Sequence, residues 1–157
     1  MKVLIVSSSE DDVRWIANIL GEEEIVNIDS CTNSTDAIQL LAVNQYNLVL
    51  SEAYLAVLTG FDLKKLMDSF GYDIPVLFFT DKVNDNTRKE ARYAGVMDCF
   101  STDHLDKELP SIIAKIDLVD TYIKREYTEY NGNEHLPSID GQLLMSQENR
   151  LKKQQHQ

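Results

Sequence analysis

Six oxygen-bearing side chains stand just past short apolar runs: Ser7 and Ser8 after KVLIV, Glu52 after LVL, Thr80 after VLFF, and Ser101 with Thr102 after VMDCF. Only Glu52 carries charge. A carboxylate at the end of a buried run is costly unless something hydrogen-bonds or pairs it, and hydroxyls are the natural donors. A carboxylate in such a setting could act as a nucleophile, as a base or as one ligand of a hard cation. The usual accomplices are absent from the pattern. No glycine-rich phosphate loop follows the first run, so neither the dinucleotide fingerprint nor the P-loop is present. His104, His135 and His156 are scattered, with no cysteine or histidine at ligand spacing, which argues against a metal site built on them. No Ser-His-acid or Cys-His set is suggested.

The elements that must position these residues alternate in type. KVLIV (2–6) reads as a strand buried on both faces. SSSEDD follows, with Ser9 and Asp12 at capping-box spacing ahead of Val13, Ile16, Ala17 and Leu20, and with Gly21 as a stop. IVNID (25–29) is the second strand; Asn33 or Ser34 then caps a helix carrying Ala37, Ile38, Leu41 and Ala42. LVL (48–50) is the third strand, followed by a helix with Phe61, Leu63, Leu66, Met67 and Phe70, closed by Gly71. VLFF (76–79), a helix over 86–94 stopped by Gly95, VMDCF (96–100) and a last helix with Leu109, Ile112, Ile113, Ile116, Val119 and Ile123 complete the series. Strands alternating with helices at this spacing predict βαβ units, right-handed crossovers and a doubly wound parallel α/β sheet. In such sheets ligands bind outside the carboxyl ends of the strands, where the six polar residues fall.

Composition narrows the function classes. Of 157 residues, 43% are hydrophobic and 26% charged, which suits one soluble domain with a tail. The net charge of −11 disfavours nucleic acid and anionic membrane as direct partners. Apolar runs are far too short to span a bilayer. Two cysteines, Cys31 and Cys99, without a signal peptide predict reduced thiols in a cytoplasmic protein.

Over residues 1–125 the chain resembles the receiver domain of two-component response regulators. The stretches that carry the resemblance are KVLIVSSSEDDVRWI, TNSTDAIQLL, NLVLSEAYLAVLTGFDL with Gly60 at the family's glycine, DIPVLFFTD, and ARYAGVMDCFSTD. The resemblance implies a flavodoxin-like five-stranded sheet of order 2-1-3-4-5 with a C-terminal extension over 126–157. A working receiver has a phosphoacceptor Asp after strand 3 and two acids after strand 1 that help bind Mg²⁺. It also has a Thr or Ser after strand 4 and a Lys after strand 5. Carried over, Glu52 stands at the phosphoacceptor, Ser7 and Ser8 at the acids, Thr80 at the Thr, and Thr102 at the Lys. Cys99 replaces the aromatic that often swings with Thr80, and Asp103 replaces a proline.

These departures predict a degenerate phosphorylation site with no Mg²⁺, no cofactor and no catalysis, since hydroxyls poorly replace carboxylates and nothing offsets charge on a transferring phosphoryl group. Ser7, Ser8, Thr80 and Thr102 can each donate to Glu52. Glu52 then either locks Thr80 inward or merely fills the position. The expected function is phosphorylation-independent signalling by protein–protein contact with a kinase, effector or adaptor. The resemblance points to the face of helix 4, strand 5 and helix 5, with Arg88, Arg92, Tyr93 and Tyr122 as interface residues and a homodimer as one option. The alternatives are a receiver still phosphorylated by a histidine kinase and a small-anion-binding regulatory domain. Beyond residue 125, Asn131-Gly132 and Pro137 signal a helix end, Leu144 and Leu151 suit a short amphipathic helix, and RLKKQQHQ (150–157) is basic.

Overall fold

A computed structural model describes residues 1–21 and 27–132. Its elements are β1 (Lys2–Val6), α1 (Glu10–Gly21), β2 (Asn27–Cys31), α2 (Ser34–Val43), β3 (Leu48–Glu52), α3 (Gly60–Ser69), β4 (Val76–Thr80), α4 (Asp85–Tyr93), β5 (Asp98–Ser101), a short 3₁₀ turn (Thr102–His104) and α5 (Leu105–Gly132). All strand pairs are parallel and the order is β2-β1-β3-β4-β5. The expected sheet is the observed one. The Leu144/Leu151 helix, Pro137 and the basic end lie outside the described residues.

Side-chain alternation along the strands divides the core in two. Leu4, Val6, Val49, Phe78 and Cys99 pack toward α2, α3 and α4 with Ala37, Leu41, Leu63, Met67 and Ala91. Val3, Ile5, Leu50, Leu77 and Phe79 pack toward α1 and α5 with Ile16, Leu20, Leu105, Leu109 and Ile113. Phe78 and Phe79 are fully buried, one on each side, and each contributes roughly 2–3 kcal/mol of hydrophobic stabilisation.

Two strands differ in their bounds from the apolar runs that suggest them. β2 runs on to residue 31, past the expected end at 29, because its register is set by β1: Lys2 pairs with Asn27 and Val6 with Cys31, while residues 25 and 26 lie outside the described residues. Asp29 thereby lies on an edge strand, accepting a 2.6 Å hydrogen bond from the Tyr46 hydroxyl and an ion pair from Lys2 at 3.3 Å. The Tyr46 bond, and then Lys2, hold its carboxyl below the usual range against opposing burial. β5 spans 98–101 rather than 96–100. Gly95 turns through φ +78° and the Met97 amide donates to the Val76 carbonyl at 2.8 Å before the strand proper begins.

The helix starts follow their caps. Ser9 Oγ accepts from the Asp12 amide at 3.2 Å, but the Ser9 amide turns to Ser7 Oγ at 3.2 Å, so the expected box closes on one side only. Asn33 caps α2, and Thr59 with Asp62 forms a full capping box on α3. In the loop between β3 and α3, Val57 has φ +67° and is fully solvated. The left-handed conformation costs a non-glycine residue about 1–2 kcal/mol, part of which glycine gives back through unfolded-chain entropy. Val57→Gly is therefore expected to stabilise the domain by about 0.5–1 kcal/mol, read as a higher urea midpoint at unchanged slope; a lower midpoint would refute the strain.

Candidate functional site at the carboxyl ends of the strands

Parallel register brings Ser7 beside Glu52. Val6 pairs with Ser51, so the next residue of each strand faces its counterpart across one inter-strand gap. Ser7 is completely buried, and its Oγ donates to Glu52 Oε1 at 2.9 Å. Ser8, exposed, donates to Oε2 at 3.1 Å. Both carboxylate oxygens are thus held from the β1 side by charge-assisted bonds. The backbone is fixed too. Ser51 Oγ donates to the Glu52 carbonyl at 2.9 Å, the Ala53 amide to Phe79 O at 3.0 Å, and the Gly60 amide to Ala53 O at 3.0 Å.

Thr80 and Thr102 do not join this set. Thr80 ends β4 and is half-buried, and Thr102 begins the 3₁₀ turn beyond β5. Neither hydroxyl makes a hydrogen bond to Glu52, against expectation. Strand spacing explains Thr102: β5 lies two strands from β3, roughly 10 Å away. For Thr80 the reason is the direction of Glu52, whose side chain leans to β1. A lock in which Glu52 itself pulls Thr80 inward has no contact to act through.

Two acids that sequence reasoning missed border the site. The Asp12 carboxyl is pushed above its usual range, first by burial and then by the fields of Glu52, Asp81 and Asp11. The signals were present: Asp12 is fixed by the Ser9 cap, and Asp81 follows Thr80 directly. Among the described residues, no three His, Cys, Asp or Glu side chains are grouped so as to hold a metal ion.

The family model of the response regulator receiver domain matches residues 3–114. The chain belongs to this family. Solved receivers share the fold. A two-component response regulator from Clostridium difficile is 25% identical, with a TM-score of 0.60 over 76% of this chain and 94% of that one. The non-phosphorylated receiver of the Escherichia coli stress response regulator RcsB is 16% identical, with a TM-score of 0.67 over 74% and 92%. The receiver of a putative Luxo repressor protein from Vibrio parahaemolyticus is 18% identical, with a TM-score of 0.66 over 77% and 95%. Among curated proteins, none matches the sequence. The protein is thus a receiver of two-component signalling.

The remaining residues singled out in this receiver divide between core and surface. Cys99 is fully buried between strand and helix, and desolvation raises its thiol to about 11. Cys31, half-buried at the end of β2, is likewise raised to about 11 by burial. Both thiols are free and stay protonated at neutral pH. Arg88 and Arg92 are exposed on α4, and the Arg88 charge reaches Cys99. Arg88 therefore lies toward β5, with Arg92 one turn further along the same flank of the helix. Tyr93, 93% exposed, falls about 140° round the helix from Arg88 and about 60° from Glu90. Glu90 accepts from the Tyr54 hydroxyl at 3.5 Å, on the flank opposite β5. Tyr93 thus does not share the β5 flank with the two arginines, whereas Tyr122, 65% exposed on α5, does lie clear of the buried stripe.

Proposed function

We propose that this receiver signals by protein–protein contact, without phosphotransfer and without a catalytic step of its own, in the cytoplasm. The observation that carries the reading is the pair of bonds from Ser7 and Ser8 to Glu52. These hydroxyls turn their protons to the carboxylate, so their positions donate hydrogen bonds where a Mg²⁺ site needs negative oxygen. The donor set does not fit the ion, and no mechanism is built on it. Glu52 is also one methylene longer than aspartate, and its oxygens are occupied. A misplacement of about 1 Å in a reacting atom costs on the order of 10²-fold. Thr102, at the lysine position, brings no positive charge to a transferring phosphoryl group. The two free thiols suit a reducing compartment. The partner, a kinase, effector or adaptor, meets the face formed by α4, β5 and α5, where Arg88 and Arg92 are exposed.

The experiment is incubation with acetyl phosphate and Mg²⁺ followed by intact-mass measurement. The expected spectrum shows the unmodified chain alone. A stable gain of about 80 Da, one phosphoryl group, mapped to Glu52 would overturn the proposal.

A further inference from the structure

β2 forms one edge of the sheet, opposite the β5 edge, and its outer side offers unpaired main chain. The Asn27 amide donates to the Met1 carbonyl at 2.8 Å, and the Cys31 carbonyl accepts from the Ser7 amide at 3.0 Å. In a parallel ladder alternate residues point both main-chain groups to the same neighbour, so Asn27, Asp29 and Cys31 serve β1. Ile28 and Ser30 direct their amides and carbonyls outward, and no described residue bonds to them. Sheet edges are commonly blunted by lysine, proline or a bulge. NIDSC contains neither residue, and its register with β1 runs without a bulge from Asn27 to Cys31. Its single charge, Asp29, is turned to Tyr46 and Lys2.

Beside this edge lies a groove of about 490 Å³, within the range of ligand pockets. One wall is α2, where Asp36, Leu40 and Val43 fall at i, i+4 and i+7 with Gln39 beside them. That stripe is centred more than 100° from the buried Ala37 and Leu41, and Val43 is 79% exposed. The other wall is the end of β2, with Cys31 and Thr32. The groove carries one carboxylate, Asp36, and no cation pairs with it among the described residues.

We infer that this edge takes an extended peptide as a sixth strand, with an arginine or lysine of the peptide laid in the groove. Ile28 and Ser30 each offer one amide and one carbonyl to the guest. Side chains alternate across a strand, so every second guest residue falls on the α2 side, where Cys31 already packs. A long cationic side chain suits that place. Its methylenes cover Leu40 and Val43 while its charged head reaches Asp36, with Gln39 and Thr32 as neutral acceptors. The charge of the whole chain, −11, draws a basic segment to the same surface. An acidic guest would oppose Asp36, and a purely apolar one would leave it unpaired. The surface lies across the sheet from the α4, β5 and α5 face, so it is a second contact and not part of the first.

The test uses the full chain labelled with ¹⁵N and a capped peptide, Thr-Val-Thr-Arg-Thr-Val-Thr, which sets arginine between two valines on one face. Titration should shift the Ile28 and Ser30 amides to saturation, with a sub-millimolar Kd. Of two versions N-methylated at alternate amides, one should bind and the other should not, since only one set of amides faces β2. Asp36→Lys should weaken the arginine peptide about fivefold or more and favour a glutamate-centred one. Ser30→Pro removes an outward amide that the fold does not use, so it should keep the circular dichroism and lose binding. No shift at Ile28 and Ser30 up to about 1 mM peptide, equal affinity of the two methylated versions, or indifference to Asp36→Lys would each overturn the inference.

Discussion

Gly60→Ala is expected to destabilise the domain by about 2–4 kcal/mol. Gly60 opens α3 immediately under the end of β3. A methyl group there would overlap the backbone carbonyl of Glu52, with the Phe78 ring at 3.1 Å and Ser51 Oγ at 3.2 Å. The obstacle is main chain that cannot swing aside. The Glu52 carbonyl already accepts from Ser51, and its residue pairs with Phe79 in the sheet. Relief must come from shifting the end of β3 or the start of α3, and either strains the capping box of Thr59 and Asp62. Urea denaturation measures the loss. A change below about 0.5 kcal/mol, the range of an ordinary surface substitution, would mean that the helix start is free to move. Because the obstructed carbonyl belongs to Glu52, the variant should also disturb the bonds from Ser7 and Ser8.

The second large effect is electrostatic. Ser7→Asp is expected to cost about 2–4 kcal/mol near pH 7. It places a carboxylate in a fully buried position whose side-chain oxygen lies 2.9 Å from Glu52 Oε1, with Asp12 and Asp81 nearby. The sign of the pH dependence follows from the environment. Burial and three neighbouring acids raise the introduced carboxyl above its unfolded value of about 3.9, so the folded state holds the proton more tightly. The penalty is therefore small at about pH 4 and grows as pH rises through the raised value. Asp12 in the native chain, whose carboxyl is raised by burial and by Glu52, pulls in the same direction. Ser7→Asn supplies an uncharged comparison that can still donate to Glu52, and its smaller cost should not vary with pH. An equal loss for Ser7→Asp at pH 4 and pH 8 would show overpacking rather than charge.

Local chemistry made most of the fold legible. Apolar runs, caps at Ser9, Asn33 and Thr59, and the glycines after α3 and α4 lie within a few residues of what they control. The end of β2 was missed because IVNID is the more apolar window, whereas pairing with β1 carries the strand on to Cys31. Ile25 and Val26 lie outside the described residues. At the site, Ser7 and Ser8 could be matched to Glu52 because strand ends align in a parallel sheet. Which way the Glu52 side chain leans depends on its rotamer and on competing donors, so the absent bonds from Thr80 and Thr102 had no sequence signal. The Lys2–Asp29–Tyr46 cluster was equally hidden, since it joins residues 17 and 27 positions apart.

The length of α5 has a mechanical consequence. A 28-residue helix is a rod of about 42 Å, anchored by Leu105, Leu109 and Ile113 near its upper end. A tilt of about 10° about the middle of that anchorage would sweep the far end by about 6 Å, roughly one helical pitch. A displacement too small to notice at the sheet is thus magnified into a step large enough to separate or join whatever is attached below.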